Sequence, residues 1–484
     1  MYQIKSPPHS ADRITLIGAG LAGCVLAIYL ARRGFVVDIY ERRYDMRKVP
    51  FSGGRSINLT LSARGIYVLK QIGLYEEVMK AAIPLKGRMM HSLSGELAFQ
   101  PYGRKNSEVL YSIARNQFNI ALMNEAEKYA NVRIHFNQQC AGMNFDTGEL
   151  KLRDETNGQQ TALKASPVIG TDGSASALRM SMLKERGFNF SQSYLNHGYK
   201  ELTIAAGPNG EFLLEKNALH IWPRGQYMLC GFPNLDGSFT ALLFAPFYGE
   251  ESWETWNSKI KVTEFFKRQF PDTLPLMPAL VEKYFAKTAG SLLTIKCDPW
   301  HVRDKALLLG DAAHAIVPFH GQGMNCALED CAYLDECVEK YGTNWKKVFP
   351  EFQKQRKVNT DAIADLSLEN YIELRDRVAN PKFLLKKKVE LALSERYPND
   401  FIPNYSMLAF HRIPYSEARD RGIIQTRIVD ELCEEIEALE EVSWEKADFL
   451  VSRKLLKTAD FTEPYSLPAV LRSPAAAVPF PAGV

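Results

Sequence analysis

The beginning of the chain carries two apolar runs of strand length with a helical pattern between them. Residues 13–17 (RITLI) form the first run, and residues 35–40 (FVVDIY) form the second. Small and apolar side chains recur at helical spacing between the runs, and Gly34 stands where a helix C-cap favours a positive φ. This order predicts a strand–helix–strand unit of the kind that begins a parallel sheet.

The middle and the end of the chain have different textures. Residues 191–290 contain β-like runs rich in aromatic and branched side chains, such as SFTALLFAPF, and an Asp-Gly hairpin signal in NLDGS. From residue 376 onward the pattern is helical, as in KFLLKKKVELALSERYP. We therefore divide the chain into a discontinuous α/β domain (1–190 and 291–375), a β-sheet domain (191–290) and a C-terminal helical region (376–484).

The overall charge argues against a nucleic-acid partner. The 484 residues include 59 basic and 56 acidic ones, so the formal net charge is +3 and no strongly basic face is indicated. The hydrophobic content of 46% is ordinary for a soluble globular protein. A chain of this length is too long for one compact core, so we expect more than one domain.

Cysteine usage and hydropathy indicate a soluble protein of the cytoplasm. The eight cysteines are scattered without a CxxC pair, so we expect free thiols in a reducing compartment and no metal centre. Residues 14–30 are uncharged and approach the length of a membrane span. Three glycines within this stretch, and no small-residue cleavage site after it, favour a buried strand, turn and helix over an anchor or a signal peptide.

The turn after the first strand has the spacing of a dinucleotide-binding motif. Gly18, Gly20 and Gly23 fit G-x-G-x-x-G, in which the glycines allow a tight turn, the approach of a pyrophosphate and close helix–strand packing. The helix N-terminus offers N–H groups to phosphates, and Glu41, at the end of the second strand, can accept hydrogen bonds from a ribose diol. The motif predicts a dinucleotide site, with a ligand-free unit as the alternative. It does not separate FAD from NAD(P).

A late segment, LLLGDAAHAIVPFHGQGMNCALED, favours FAD. Gly310 and Asp311 follow an apolar strand, and the Asp311 carboxylate can accept hydrogen bonds from the ribityl chain of a flavin. The loop from Pro318 through Gly323 precedes a predicted helix, 324–341, whose N-terminus can direct N–H groups to the carbonyl edge of the flavin ring. The alternative is that Asp311 only caps a buried helix.

A third segment, VIGTDGSASALR, runs from an apolar strand into Asp172-Gly173, which alone is a common turn. Together the three segments resemble the flavoprotein aromatic hydroxylases, which have a GxGxxG motif at the start, a DG motif midway and a GD motif late. The resemblance implies the α/β aromatic hydroxylase fold: a Rossmann-like FAD-binding domain, a β-sheet substrate domain and here a C-terminal helical region that covers the active site. It also implies FAD as cofactor and NADPH as reductant, with the middle motif serving both.

Further stretches are similar to the branch of this family whose members hydroxylate L-kynurenine in tryptophan degradation. The similarity runs from about residue 13 to about residue 415 and is carried by GGRSINLTLSARG (53–65), KGRMMH (86–91), QPYGR (100–104), HGYKEL (197–202), NALHIWPRG (217–225), VPFHGQGMNCALED (317–330), LENY (368–371) and FIPNYSM (401–407). It implies L-kynurenine and O2 as substrates, 3-hydroxy-L-kynurenine as product and a flavin hydroperoxide as oxidant. Eukaryotic members carry a hydrophobic membrane anchor at the C-terminus, whereas the proline-broken tail here predicts a bacterial-type enzyme without a transmembrane anchor. A homodimer is left open.

The resemblance also assigns residues one by one. The substrate's amino-acid end falls to Arg88, Tyr102, Asn370 and Tyr405. The candidate catalytic residues near the flavin and the substrate ring are Phe319, His320 and Gln322. The candidate cofactor contacts, from the motifs and the resemblance together, are Gly18, Gly20, Gly23, Glu41, Arg42, Arg55, Arg115, Asp172, Gly310, Asp311, Pro318, Gly323, Met324 and Asn325.

These residue types suit the chemistry of L-kynurenine. Its carboxylate needs a partner in an apolar pocket, and the planar fork of arginine pairs with a carboxylate best. Tyrosines supply hydroxyl groups on apolar bodies suited to a pocket wall. The aniline nitrogen makes the ring carbon ortho to it electron-rich, so we expect no obligate general base and a protein that positions the substrate and excludes water.

Simpler explanations stay open at this point. A structural ion pair is the alternative for Arg88, core packing is the alternative for Tyr102 and Tyr405, and a satisfied loop histidine explains His320 as well as catalysis does. At the level of function, the alternatives are a flavin hydroxylase of another aromatic acid, a flavin reductase that acts on isoprenoid lipids, and a flavin-binding module without enzymatic activity.

Overall fold

The computed structural model describes residues 12–48, 57–103, 108–373 and 381–455. In chain order, the strands of these residues are β1 (Arg13–Ile17), β2 (Val36–Tyr40), β3 (Asn58–Leu61), β4 (Ala82–Leu85), β5 (Gly87–His91), β6 (Leu97–Pro101), β7 (Leu110–Ala114), β8 (Val132–His135), β9 (Gln138–Asn144), β10 (Glu149–Asp154), β11 (Gln160–Lys164), β12 (Val168–Gly170), β13 (Asn189–Ile204), β14 (Ala218–Arg224), β15 (Tyr227–Pro233), β16 (Phe239–Pro246), β17 (Gly290–Asp298), β18 (His301–Val302) and β19 (Ala306–Leu308).

The helices connect and cover these strands. In chain order they are α1 (Leu21–Arg32), α2 (Ala63–Ile72), α3 (Tyr75–Met79), α4 (Arg115–Ala126), α5 (Ala177–Met182), α6 (Lys259–Gln269), α7 (Leu280–Ala286), α8 (Asp311–His314), α9 (Gly323–Tyr341), α10 (Trp345–Ile372), α11 (Pro381–Arg396), α12 (Asn404–Ala409), α13 (Tyr415–Leu432) and α14 (Trp444–Lys454), with short 3-10 turns at Pro271–Leu276, Pro318–His320 and Leu439–Glu441.

A six-stranded sheet in the order β18-β19-β12-β1-β2-β8 carries the glycine motif. Its strands run parallel except for β18, and β1 lies between β12 and β2 with Ile14 opposite Val37. Helix α1 packs between α4 and α9, which places its apolar residues in the largest core of the molecule. The predicted strand–helix–strand unit is confirmed as β1, α1 and β2, and the predicted late helix is confirmed as α9.

A seven-stranded sheet in the order β17-β13-β16-β15-β14-β5-β6 forms the second layer. The predicted β-runs of the middle segment are confirmed as β14, β15 and β16, and residues 234–238 make the turn between β15 and β16. The sheet also takes in strands from outside residues 191–290. The reason is long-range pairing, since β14 pairs in parallel with β5 and β13 pairs antiparallel with β17.

The two faces of this sheet serve different purposes, because successive side chains of a strand point to opposite faces. One face packs on α6 and α7 around Trp222 and Phe265, both fully buried. The other face carries Ile221 and Phe244 into a cavity that opens toward the glycine motif. The sheet therefore forms one wall of the candidate active site.

The C-terminal helices close the molecule on the side of that cavity. Helices α11, α13 and α14 enclose an apolar core of their own, while α13 packs on α10 and on α12. Helix α12 carries Tyr405 into the lining of the cavity. All eight cysteines are buried free thiols. None of the described helices is both long and apolar enough to cross a membrane.

Two smaller three-stranded sheets complete the described fold. Their strand orders are β11-β10-β9 and β3-β7-β4. The second of them brings Thr60 of β3 beside the loop that precedes α9, where the Thr60 hydroxyl donates to the Gly321 carbonyl at 3.3 Å. This small sheet therefore supports the loop that precedes α9, which the sequence predicts as a flavin contact.

Candidate active site

A cavity of about 420 Å³ lies between the carboxyl end of the parallel sheet, the inner face of the large sheet and helix α12. It extends from the glycine motif at one end, which we call the nucleotide end and define by Gly20, Leu21 and Ala22. At the other end, which we call the polar end, it is lined by Arg88, Tyr102 and Tyr405.

The three glycines of the motif have different surroundings. Gly18 has a φ of +100°, and a Cβ atom there would lie 2.7 Å from the Thr171 carbonyl oxygen. A Cβ atom on Gly23 would lie 2.0 Å from the Gly18 carbonyl oxygen, so this position holds the helix close to the turn. A Cβ atom on Gly20 would meet nothing within 4 Å, because Gly20 faces the cavity.

The N-terminus of α1 faces the same space. The first hydrogen bond within the helix runs from the Cys24 N–H to the Gly20 carbonyl at 3.0 Å. The N–H groups of the first turn, which belongs to the nucleotide end, therefore have no partner within the helix. Together with the positive end of the helix dipole, they provide the environment that a pyrophosphate requires.

Glu41 lies beside this turn and is nearly fully buried. Its carboxylate accepts hydrogen bonds from the Ala19 N–H at 2.8 Å and from the Arg43 N–H at 2.9 Å, and it forms an ion pair with the Arg43 guanidinium. Burial opposes the charge, but the hydrogen bonds and the charge of Arg43 lower the pKa of the Glu41 carboxyl below its usual value. Arg42, the predicted phosphate contact, is exposed, and Arg55 lies outside the described residues.

The other polar groups near the nucleotide end come from three elements. Asp311, at the start of α8, and Arg115, at the start of α4, both line the cavity. Asp172 does not line it: its carboxylate accepts from the Ala177 N–H at 2.8 Å and caps the short helix α5. Burial raises the pKa of the Asp172 carboxyl. Three other residues of this turn line the cavity: Thr171, Gly173 and Ser174.

The loop before α9 exposes backbone to the cavity. Pro318, Gly323 and Met324 line it, and the first hydrogen bond of α9 runs from the Cys326 N–H to the Gln322 carbonyl at 2.8 Å. The N–H groups of the first turn of α9 are therefore unpaired within the helix. Gly310, with a φ of +63°, lies against Ala327 of this helix and allows the strand end to approach it closely.

Asn325 is fully buried and holds the loop in place without lining the cavity. Its side-chain amide donates to the Thr60 carbonyl at 2.8 Å and to the Gly321 carbonyl at 3.0 Å, and it accepts from the Ser62 N–H at 2.9 Å. This predicted cofactor contact is thus a bridge between β3 and the loop.

This set of groups fits FAD. The open face of Gly20 and the N-terminus of α1 suit a pyrophosphate, and the Asp311 carboxylate lies where ribityl hydroxyls can donate to it. The N-terminus of α9 suits the carbonyl edge of a ring that becomes anionic on reduction. Gly323 leaves this edge open, since a Cβ atom there would approach only Ile316, at 3.6 Å.

The polar end holds one half-buried positive charge beside a pair of stacked aromatic rings. The Arg88 guanidinium lies 4.7 Å from the centre of the Tyr405 ring and 5.4 Å from that of Tyr102, and the two rings are stacked at 5.4 Å. No carboxylate of the described residues forms an ion pair with Arg88. Burial raises the pKa of the Tyr102 phenol, which therefore stays protonated at neutral pH.

Phe319 and His320 line the cavity between its two ends. The Phe319 ring stacks on Tyr371 at 4.3 Å and lies 5.3 Å from the Phe244 ring. Burial, with the charge of Arg88 adding to it, lowers the pKa of His320 to about 3. This histidine is therefore neutral at any pH at which the protein is expected to work.

Two predicted site residues point away from the cavity. The Asn370 amide donates to the Phe319 carbonyl at 2.7 Å, and the Gln322 side-chain oxygen accepts from the Tyr415 hydroxyl at 2.9 Å. Neither residue is part of the cavity lining. Both hold the backbone of the loop from which Phe319 and His320 reach the cavity.

The β-sheet domain was predicted to serve the substrate, but the individual side chains of the cavity's apolar wall were not named from the sequence. Met228, Cys230 and Phe232 occupy alternate positions of β15, and Leu242 and Phe244 do so in β16. The alternation of these side chains along each strand could have grouped them, because residues two apart in a strand lie on the same face of the sheet. Only the packing of α6 and α7 decides which face is the cavity wall.

Comparison with known proteins agrees with this geometry. A family model described as an FAD binding domain matches residues 12–338. The tetrameric form of 2-methyl-3-hydroxypyridine-5-carboxylic acid oxygenase is 22% identical with a TM-score of 0.62, over 78% of this chain and 96% of that one. Pseudomonas aeruginosa PqsL, in complex with 2-aminobenzoylacetate, is 20% identical with a TM-score of 0.61, over 76% and 98%. The fold and the site define a flavoprotein of the FAD-binding aromatic hydroxylase class.

Relatives of higher identity narrow the family. Kynurenine 3-monooxygenase of Myxococcus xanthus (strain DK1622) is 46% identical over 444 residues, which are 92% of this chain and 96% of that protein. Kynurenine 3-monooxygenase of Legionella pneumophila (strain Corby) is 42% identical over 448 residues, which are 92% of this chain and 99% of that protein. The chain belongs to the kynurenine 3-monooxygenase family.

Proposed function

We propose that the protein is an FAD-dependent monooxygenase that uses NADPH and O2 to convert L-kynurenine to 3-hydroxy-L-kynurenine. The observation that carries this proposal is a single cavity with a phosphate-binding helix N-terminus at one end and the Arg88 guanidinium, without a carboxylate partner among the described residues, at the other. A cofactor with a pyrophosphate and a substrate with a carboxylate fit these two ends. Membership of the kynurenine 3-monooxygenase family supports the choice of substrate.

The polar end is the proposed site of the substrate's α-amino carboxylate. Arg88 pairs with the carboxylate, and Tyr102 and Tyr405 supply hydroxyl groups beside it. A partly buried arginine without a counter-ion loses part of its hydration, so its pairing with a substrate carboxylate contributes to binding. The distance from this end to the loop before α9 then sets which ring carbon lies closest to the flavin.

Between the ends, the wall positions the aromatic ring and excludes water. The side chains of β15 and β16, together with Phe319, give an apolar enclosure. Bound FAD, reduced by NADPH, supplies the activation of O2 that hydroxylation needs. The ring of the substrate is activated by its own aniline nitrogen, so a neutral His320 is compatible with the reaction and no general base is assigned.

The proposal is tested with the purified holoenzyme. NADPH oxidation is followed in air with and without L-kynurenine, and 3-hydroxykynurenine and hydrogen peroxide are measured in the same samples. We expect L-kynurenine to accelerate NADPH oxidation with a matching amount of hydroxylated product. Acceleration with hydrogen peroxide alone would contradict the assignment of L-kynurenine as the substrate, and no acceleration would favour a hydroxylase of another aromatic acid.

We also propose that the protein works in the cytoplasm, where a reducing environment keeps its buried thiols free. That the protein forms a homodimer also remains a prediction. Light scattering of the purified holoenzyme measures its mass and tests it.

A further inference from the structure

We infer that Tyr415 is a positioning residue, which fixes the loop before α9 against the flavin from outside the cavity. Tyr415 is the first residue of α13 and does not line the cavity. It acts through Gln322, the residue that precedes α9. The inference rests on the proposed function in so far as that function places FAD at the N-terminus of α9.

The contact between Tyr415 and Gln322 is a buried hydrogen bond. Tyr415 is fully buried, and its hydroxyl donates to the Gln322 side-chain oxygen at 2.9 Å. Burial raises the pKa of the Tyr415 phenol well above its usual value, so the hydroxyl keeps its proton and remains a donor. A buried acceptor that loses such a donor bears the full desolvation cost, so the Gln322 side chain stays where this hydroxyl holds it.

The Tyr415 contact adds to those of Asn325 and Asn370 at the point where the backbone of the loop is most permissive. Gly321, with a φ of +64°, and Gly323 flank Gln322, and glycine restrains the chain less than any other residue does. The Gln322 side chain is held on a second side by the Ser62 hydroxyl, which donates to it at 3.4 Å. The stronger of the two bonds is that from Tyr415. The Gln322 carbonyl in turn accepts the first hydrogen bond of α9.

Tyr415 is itself held rigidly. The Arg64 guanidinium lies 3.7 Å from the centre of the Tyr415 ring and donates to the Ile413 carbonyl. Arg64 also binds both oxygens of Glu329, each at 2.9 Å, and a second buried arginine, Arg356, binds the same carboxylate at 2.9 Å. This network of α2, α9 and α10 fixes the ring, so the hydroxyl reaches Gln322 from a fixed point.

The test removes the Tyr415 hydroxyl and measures the affinity and the visible spectrum of FAD. The variant Tyr415→Phe keeps the ring over Arg64 and deletes only the donor to Gln322. We expect FAD to bind about fivefold more weakly, the visible spectrum of bound FAD to shift, and the fraction of NADPH oxidation that yields product to fall. The KM for L-kynurenine should stay unchanged, because the polar end is untouched.

The matched control is Tyr397→Phe. Tyr397 also lies in the C-terminal helical region and donates its hydroxyl to Asp448, and neither residue lines the cavity. We expect this variant to leave the FAD affinity and the flavin spectrum at wild-type values. An equal effect of the two substitutions would overturn the inference, and so would a Tyr415→Phe variant whose flavin properties match the wild type while only its melting temperature falls.

A second variant keeps the inference testable if Tyr415→Phe folds poorly. Gln322→Met removes the acceptor and leaves Tyr415 in place. The double variant Tyr415→Phe/Gln322→Met completes a double-mutant cycle. If the two residues act through one bond, the double variant weakens FAD no more than either single variant, whereas additive effects would contradict the inference. FAD affinity and spectrum are measured without L-kynurenine, so a wild type that fails to hydroxylate L-kynurenine would refute the proposed function and leave this test intact.

Discussion

The two ends of the cavity are formed by different kinds of chemical group. The nucleotide end is made of backbone, since a glycine turn and the first turn of α1 present N–H groups there. The polar end is made of side chains, with Arg88 on β5, Tyr102 just after β6 and Tyr405 on α12. Backbone groups of one local turn recognise what many ligands share, whereas side chains from distant segments recognise one ligand in particular.

This difference predicts how each end fails. A change at the nucleotide end alters the space available to backbone and cofactor, and it should affect FAD before it affects the substrate. A change at the polar end should affect L-kynurenine and leave FAD in place. The four predictions that follow test this separation, from the largest expected effect to the smallest.

The largest effect is expected at the glycines of the nucleotide end. Gly23→Ala places a Cβ atom 2.0 Å from the Gly18 carbonyl oxygen, so α1 must move and we expect a loss of about 3 kcal/mol in unfolding free energy together with loss of FAD. Gly20→Ala is the matched variant, since its Cβ atom meets nothing in the protein. It should fold like the wild type and bind FAD at least about tenfold more weakly, by about 1.4 kcal/mol. Thermal melting and FAD titration measure both; equal melting temperatures for the two variants would contradict the prediction.

The second prediction concerns Arg88. In Arg88→Met, kcat/KM for L-kynurenine should fall by roughly 100-fold, because about 3 kcal/mol of charge pairing is lost while FAD affinity stays at the wild-type value. The matched substrate is kynuramine, which lacks the carboxylate. Wild type and variant should treat kynuramine alike within a few-fold, as measured by steady-state kinetics.

An Arg88→Met variant that loses FAD, or that loses activity toward both substrates equally, would break the separation of the two ends. Arg88→Lys keeps the charge without the planar fork and should fall between the wild type and Arg88→Met. This graded series distinguishes a carboxylate contact from a structural arginine.

The same contrast explains what could be predicted from the sequence. The nucleotide end was predictable because its parts lie within a few residues of one another. Gly18 and Gly23 have no room for a side chain, and Gly20 leaves the cavity open beside the turn. Neighbouring residues could not be told apart by sequence: Arg42 was expected at the phosphates, whereas Arg43 pairs with Glu41. Which of the two arginines pairs with Glu41 depends on the local path of the chain after β2.

The polar end could not be derived from local pattern at all. Arg88 reaches the cavity because β5 pairs with β14, a strand from a distant part of the chain, and no periodicity reports this pairing. Resemblance to a family supplied the residues, but not their directions. Asn370 and Gln322 belong to the right segments, yet their side chains bind the Phe319 carbonyl and the Tyr415 hydroxyl.

The third prediction follows from the direction of Asn370. If this residue acts by holding the Phe319 carbonyl, Asn370→Leu should raise the KM for L-kynurenine about fivefold, the cost of roughly one hydrogen bond, and should do so equally for desaminokynurenine, which lacks the α-amino group. If Asn370 instead contacts the substrate ammonium, only L-kynurenine would be affected. Kinetics with the two substrates decide between these roles and show whether the polar end includes a fourth residue.

The smallest effect on catalysis is expected from the ionisation of His320, which should change the pH dependence of stability instead. The pKa of His320 is about 3 in the folded protein, whereas that of an unfolded histidine is about 6.5. Between these two pH values, the unfolded chain therefore binds a proton at this residue and the folded chain does not. The resulting stability is fully present above about pH 6.5 and is lost as the pH falls toward 3. Between pH 7 and pH 4.5, the unfolding free energy of the wild type should therefore fall more than that of His320→Gln, as denaturant titrations would measure.

Across the same range, kcat/KM of the wild type should show no ionisation that His320→Gln lacks, although the variant is expected to be slower or less well coupled. An ionisation near pH 6.5 that disappears in the variant would make His320 an acid–base group. It would also place proton transfer in the space between the two ends. We expect the protein there only to position the substrate and to exclude water, because the wall is apolar.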